Sequence, residues 1–213
     1  MNEKVYFVDQ TLRDAVQSLW GFRVKTEWIL PNAEVINKVG YLKVGTIGTR
    51  GMNVQVRLFK ENPWERIRAL SKLMPDVVLF TSVLPYSFSE FGIDHEDLLA
   101  LWIKRAVANG IRGLWFCDYQ MCLERTARLA RVAKEEGAEV YMAIMYTTSP
   151  VHTDEFFVQN VRKVIQHMKD YVDTIWFEDP GGTLTPEEAF PYIKGKNIPS
   201  LVVGLASVQE VYH

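Results

Sequence analysis

The chain has 213 residues, with 24 Lys and Arg against 26 Asp and Glu and a formal net charge of −2 at neutral pH. That balance lacks the basic surplus of a nucleic-acid binder, no apolar run approaches the ~20 residues of a membrane span, and the opening residues MNEKVYFVDQ carry no signal-peptide pattern. Two cysteines, Cys117 and Cys122, are too few to staple a secreted domain, so the expectation is a reduced, cytoplasmic protein with one domain over residues 1–213.

Short apolar runs rich in β-branched and aromatic residues recur along the chain. Val5–Val8, Val77–Val83, Leu114–Cys117, Val140–Met145, Thr174–Phe177 and Leu201–Leu205 read as strands buried on both faces, with a weaker strand at Leu42–Ile47. Between them lie stretches of helical spacing: Thr26–Val39, Pro63–Met74, Glu96–Asn109, Leu123–Glu136, Asp154–Tyr171 and Pro186–Lys194. Thr185-Pro186-Glu187-Glu188 has the pattern of a helix start, with a capping Thr, Pro at the first position and Glu three residues after the cap. Gly40, Gly110, Gly137 and Gly195 sit where helices should end.

Strand and helix alternate about seven times, which predicts a parallel sheet, either a closed (β/α)₈ barrel or an open doubly wound sheet. Polar residues follow many different strands: Asp9, Thr46, Asp118, Tyr146-Thr147 and Glu178-Asp179. That distribution favours the barrel, whose active sites gather at the C-terminal ends of its strands. A complete barrel typically takes ~250 residues, so the expected fold is an α/β (β/α)₈ TIM barrel that is incomplete at the C-terminus of this chain.

Two constellations could carry chemistry. After the first strand, VDQTLRDAVQSLWGFR crowds Asp9, Arg13, Asp14, Gln17 and Arg23 together. A carboxylate beside Arg suits a divalent cation with an anionic substrate, and it equally suits a structural ion pair between Arg13 and Asp14. The sixth strand ends WFEDPGGTLTP, and adjacent Glu178 and Asp179 must point to opposite faces of an extended strand, so one of them faces the barrel axis. That carboxylate could cap the following helix or join Asp14 in a metal cluster. The fifth strand leads into Tyr146, Thr147, Thr148, Ser149 and His152, where a lone His in a loop reads more readily as a surface group than as a ligand. Cys117 reads as a small core residue.

The segment DQTLRDAVQSL (9–19) resembles the D-x-T-L-R-D-x-x-Q-S-L segment of the carboxyltransferase domains of biotin-dependent carboxylases, within the wider superfamily of metal-dependent lyase barrels. ENPWERIRALSKLMP (61–75), ANGIRGLWFCD (108–118), YTTSPVHT (146–153) and FEDPGGTLTP (177–186) are similar in the same order. The resemblance implies a barrel with a divalent metal (zinc, manganese or cobalt) on its axis. It also implies a carboxyl group moved between biotin and a small acceptor, usually pyruvate. Asp14 matches the metal-binding aspartate, and Arg13 and Gln17 match residues of the substrate site, to which Tyr146 and Thr147 are added as candidates. Glu178 stands where the family has a carboxylated lysine, so it is the expected second metal ligand.

Two departures matter. Leu84 stands where the family has the arginine that grips the pyruvate carboxylate, so the resemblance implies an acceptor other than pyruvate. After Pro199 the sequence SLVVGLASVQEVYH holds no H-x-H, the family's remaining ligand pair, and this points to missing segments. No carrier segment of the Met-Lys type is present, so biotin is expected on a separate chain or domain. The expected partners are a biotin carboxyl carrier protein, a biotin carboxylase subunit and further copies of the chain. An aldolase or acyl-CoA lyase on the same metal-dependent barrel, or a non-catalytic barrel scaffold, are the alternatives.

Overall fold

A computed structural model of the chain describes residues 6–87, 92–185, 187–188 and 201–204. In chain order the elements are β1 (Val8–Asp9), a π-helical turn (Thr11–Ala15) running into α1 (Val16–Trp20), α2 (Thr26–Val39), β2 (Lys43–Gly45) and α3 (Thr49–Val54). A second π-helical segment (Gln55–Phe59) precedes α4 (Pro63–Leu73), β3 (Val78–Val83), α5 (Glu96–Ala108), β4 (Gly113–Phe116) and α6 (Leu123–Glu135). β5 (Glu139–Met145), α7 (Asp154–Met168), β6 (Thr174–Glu178) and β7 (Leu201–Gly204) follow. All described strand pairs are parallel, and the spatial order is the sequence order, β1 through β7.

Local chemistry sets the helix ends. Asn62 accepts a hydrogen bond from the Trp64 amide at 3.1 Å with Pro63 at the first helical position, and Thr153 accepts from the Phe156 amide at 3.3 Å. Gly40 closes α2 with φ of +93°, a conformation that costs a side-chain-bearing residue strain.

The pleat divides the strand residues between two cores. Leu79, Leu114, Phe116, Val140, Met142, Ile144, Ile175 and Phe177 face the helices and join one large apolar cluster. Phe80, Trp115, Cys117, Tyr141, Ala143 and Trp176 face the other way and form a second cluster. Contacts within that second set require the sheet to curl. Lys43 on β2 reaches Glu139 and, at 2.9 Å, the Tyr141 hydroxyl on β5, while Phe80 on β3 packs edge-on against Trp176 on β6 with ring centroids 5.1 Å apart. In a flat sheet strands three places apart would be about 14 Å from one another. The sheet is therefore a half-barrel with an aromatic interior, the incomplete TIM barrel that the alternation of elements predicts.

The expected strands and long helices recur with their ends moved by a few residues. Val5 lies outside the described residues, as do most of the expected helix Pro186–Lys194 and the segment 205–213 with His213. Two helical pieces were not anticipated, the π turn with α1 after β1 and α3 with its π segment after β2. Both are short and mixed in polarity, so they lack the long apolar stripe by which a helix is read from sequence. No described helix is long and apolar enough to cross a membrane.

Candidate active site

The functional groups stand at the C-terminal ends of the strands. Asp9, at the end of β1, is buried and binds the Thr11 hydroxyl at 2.7 Å and the Thr11 amide at 3.1 Å. The Gln10 carbonyl then accepts from the amides of Arg13, Asp14 and Ala15 at 3.1, 2.7 and 3.3 Å, which widens the turn to five residues. Such single π turns are frequent at functional sites. The turn aims Arg13 into the barrel mouth, and Gly45 on β2 makes room for it: a Cβ there would lie 2.6 Å from Gln10 Oε1 and 3.0 Å from Arg13 Cβ. The buried Arg13 guanidinium donates to Asp14 Oδ1 at 2.7 Å and lies 4.3 Å from the centroid of the Trp115 ring. The Arg13–Asp14 ion pair, one of the two readings the sequence leaves open, is therefore present, and it sits beside the cavity described below.

On β6 the two adjacent carboxylates part as the pleat requires. Asp179 is tied down on the helix side, accepting from the Leu184 amide at 2.7 Å and the Thr183 hydroxyl at 3.4 Å. Glu178 shares the interior face with Trp176, is 6% exposed, and its Oε2 has no hydrogen-bond partner among the described residues. Burial raises its pKa to about 7, the Arg13 charge pulls it back and the Asp14 carboxylate adds to the rise. The reciprocal capping bonds after β6 are made by other residues: Glu188 Oε2 accepts from the Thr185 amide at 3.0 Å, and Thr185 Oγ1 accepts from the Glu188 amide at 3.3 Å.

A cavity of about 40 Å³ opens beside Arg13, lined by Arg13, Gln17, Arg50, Leu84, Cys117 and Tyr119. It holds about three water-sized groups, which suits one end of a small molecule. Phe22 forms part of its wall with φ of +63°, a backbone conformation strained for an aromatic residue and often found at binding sites. A larger apolar groove of about 380 Å³ lies between the turn after β1 and α2, lined by Leu12, Val16, Trp20, Trp28 and Ile29 among others. It is the more voluminous of the two but holds none of the paired charges, so the chemistry belongs to the smaller one.

The structure thus brings together Arg13, Gln17 and Leu84 in one cavity, with Asp14 paired to Arg13 and Glu178 within the reach of the Arg13 charge. It does not bring Tyr146 or Thr147 there. Tyr146 has the outward strand register and packs among helix-side aromatics, with ring centroids 5.3 Å from Phe157 and 5.6 Å from Phe177, and Thr147 is exposed. The residue after Met145 faces the helices, so the expectation that these two bind substrate has no contact with this cavity to support it. His152 pairs with Ser149 at 2.6 Å, as a surface histidine would. Asp118 accepts from the Thr126 hydroxyl at 2.7 Å and is structural. Cys117 is in the interior core as expected, but it also lines the cavity. Sequence reasoning missed Arg50, Phe22 and Tyr119. Of these, Arg50 was within reach, since it follows the weak strand β2 on the side where the other strands carry their polar residues.

No established family profile matches the chain. It is 34% identical over 190 residues to a pyruvate carboxylase subunit of Methanocaldococcus jannaschii, matching 89% of this chain and 33% of that protein. It is 29% identical over 193 residues to the 2-oxoglutarate carboxylase large subunit of Hydrogenobacter thermophilus, covering 91% of this chain and 29% of that one. The methylmalonyl-CoA carboxyltransferase 5S subunit of Propionibacterium freudenreichii is 27% identical over 191 residues, 90% of this chain and 37% of that one. The chain therefore spans about a third of the length of these relatives. In three dimensions it is similar to the carboxyl transferase domain of Rhizobium etli pyruvate carboxylase, with a TM-score of 0.85 at 21% identity over 95% of this chain and 36% of that one. That likeness supports the incomplete barrel. Over nearly its whole length the chain is thus homologous to about a third of the length of carboxylase and carboxyltransferase subunits.

Proposed function

We propose that the chain forms the acceptor side of a biotin-dependent carboxyltransferase, moving a carboxyl group between carboxybiotin and a small acceptor other than pyruvate. The observation that carries this reading is the convergence of Arg13, Gln17, Asp14 and Glu178, from two distant parts of the sequence, at the mouth of the half-barrel. Biotin would arrive on a separate carrier chain or domain, charged by a biotin carboxylase subunit. The names of the relatives, carboxylase subunits and a transcarboxylase subunit, support such partners.

The donor set suits a hard divalent cation. Asp14 and Glu178 are oxygen donors that both feel the Arg13 charge, and a buried carboxylate oxygen with no partner is costly unless something positive meets it. Among the described residues no cluster of three His, Cys, Asp or Glu side chains forms, so these two would be the protein's share of the ligands. A cation held there would supply Lewis acidity to the acceptor carbonyl.

The chain's own residues do the rest. Arg13 is fixed by Asp14 and by the face of Trp115, so its guanidinium needs no reorganisation to donate to an oxygen that gains charge as the acceptor loses a proton. Gln17, one turn further on, offers an amide to the same oxygen or its neighbour. The apolar wall at Leu84 provides no ionic grip at that point, which is why pyruvate is the wrong acceptor. The test is steady-state transfer in the intact protein with carrier, carboxylase, ATP and bicarbonate, across a panel of small carbonyl acids and thioesters. Transfer to another acceptor with kcat/KM at least about tenfold above pyruvate is expected. Absence of transfer to any acceptor, or pyruvate as the best one, would overturn the reading.

A further inference from the structure

The cavity wall between β3 and β4 is held by a residue outside the cavity. Pairing of these strands ends at Val83 with Phe116, followed by one bond from the Cys117 amide to the Val83 carbonyl at 3.0 Å. The next residues of both segments line the cavity: Leu84 after β3, and Cys117 and Tyr119 after β4. Beyond that bond the sheet no longer sets the spacing of the two walls.

Arg125, in the first turn of α6 and half-buried, bridges the two segments. Its Nε donates to the Pro85 carbonyl and its Nη2 to the Asp94 carbonyl, both at 2.6 Å. Its Cζ lies 5.6 Å from the centroid of the Tyr86 ring. One planar fork thus grips both ends of a folded segment. Leu84–Ser87 is a turn, with the Ser87 amide donating to the Leu84 carbonyl at 3.4 Å and Pro85 presetting its backbone. The Asp94 amide returns to the Tyr86 carbonyl at 2.9 Å.

The other arm of the bracket is Thr126, the next residue of α6. Its hydroxyl donates to Asp118 at 2.7 Å, and Asp118 stands between Cys117 and Tyr119. Two neighbouring residues of one helix therefore tie one wall of the cavity to the other. Arg128, further along α6, pairs instead with Glu96 at the start of α5 at 2.7 and 2.8 Å.

We propose that Arg125 is a positioning residue for the cavity: by holding the Leu84 turn against the Cys117–Tyr119 wall it sets the width of the opening, and with it the size of acceptor admitted. The statement about the acceptor rests on the carboxyltransferase reading given above and deepens it, whereas the width of the cavity does not depend on that reading. Arg13, Asp14 and Gln17 stand on the π turn and α1, so removing Arg125 alters binding and not the chemical step.

The test compares Arg125→Ala, Arg125→Lys and the control Arg128→Ala in the intact protein, all carrying Cys122→Ser. Modification of Cys117 by methyl and by benzyl methanethiosulfonate is followed by peptide mass spectrometry, each rate referred to that of free cysteine. Both are measured at one pH, so the thiolate fraction cancels in their ratio. With Cys122→Ser alone the methyl reagent is expected to be at least about tenfold faster, because the cavity holds only about three water-sized groups. Arg125→Ala should cut that ratio by about threefold or more and Arg128→Ala should leave it unchanged. Arg125→Lys, whose ammonium lacks the fork, should cut it by less, and it carries the test if the alanine variant does not fold. In transfer assays Arg125→Ala should raise KM for the best acceptor by about 3- to 10-fold with kcat within about threefold. Preference for that acceptor over its homologue one methylene longer should narrow. An unchanged reagent ratio would overturn the proposal whether or not the protein transfers a carboxyl group. So would an altered ratio with KM and acceptor preference unchanged, or a fall in kcat equal for every acceptor. A widened cavity in a protein that transfers nothing refutes the carboxyltransferase reading and leaves the bracket standing.

Discussion

The two ends of the barrel interior treat buried polar groups in opposite ways. At the N-terminal end, Lys43 donates to Glu139 and to the Tyr141 hydroxyl, which itself donates to Glu139 at 2.6 Å, and Tyr141 stacks on Trp176 with ring centroids 4.8 Å apart. Every polar group in that triad has a partner, and burial with the neighbouring Glu139 holds the Tyr141 phenol neutral by raising its pKa. At the C-terminal end, Gln10 Oε1, Arg13 Nε and Glu178 Oε2 are all buried with no partner among the described residues. A folded chain tolerates few such groups. Other buried atoms also lack partners, among them Gln55 Oε1 and the Trp176 indole nitrogen. The contrast between Gln10, Arg13 and Glu178 and the fully paired Lys43–Tyr141–Glu139 triad distinguishes a site whose remaining partners come from elsewhere from a plug satisfied by its own residues.

If that contrast holds, substitutions at the two ends should separate activity from stability. The largest effect is expected for Asp14→Ala, which removes a proposed cation ligand and releases Arg13. Its kcat/KM for carboxyl transfer should fall by about 10³-fold, while thermal unfolding of the protein moves little. At the other end, Lys43→Met should lower stability by about 1–3 kcal/mol, because the Tyr141 hydroxyl and Glu139 lose a buried donor. Denaturant titration measures this, and KM for the acceptor should not change. A Lys43→Met variant that loses activity but not stability would erase the distinction.

A smaller effect sharpens the upper end. In cation-free protein Glu178 binds its proton more tightly when folded, with a pKa of about 7 against its ordinary 4.5. Below pH 4.5 it is protonated in both states, and above about 7 it is ionised in both. Between these values only the folded state keeps the proton, so its contribution to stability declines as pH rises through that window. Glu178→Gln should flatten this part of the stability profile, and an unaltered profile would mean that Glu178 is not held in a desolvated site.

Much of this was legible in the sequence, and the reasons for the gaps are physical. The strands at 78–83, 113–116 and 139–145 are continuous apolar runs buried on both faces, a signal that survives without context. The divergence of Glu178 and Asp179 followed from the strand period alone, although which of them faced inward did not, since it depends on register against β5. Arg13, Asp14 and Gln17 were legible through the resemblance, but the π turn that aims them was not, because a widened turn has no composition of its own. The helix-side packing of Tyr146 was not legible for a related reason: a residue at a strand end can face either the mouth or the helices, and its aromatic neighbours, Phe157 and Phe177, are distant in sequence. Arg50 could have been found from its place after β2, but that strand is only Lys43–Gly45 and the short helix that carries Arg50 has no long apolar stripe to mark it.

The contrast rests on the claim that the orphaned carboxylate of Glu178 awaits a cation shared with Asp14. Titration of the intact protein with Mn²⁺, followed by electron paramagnetic resonance, measures this directly. The account predicts a site of one Mn²⁺ per chain in the wild type, weakened by at least about tenfold in Glu178→Gln. Equal affinity in the two proteins, with the fold of the variant intact, would contradict it.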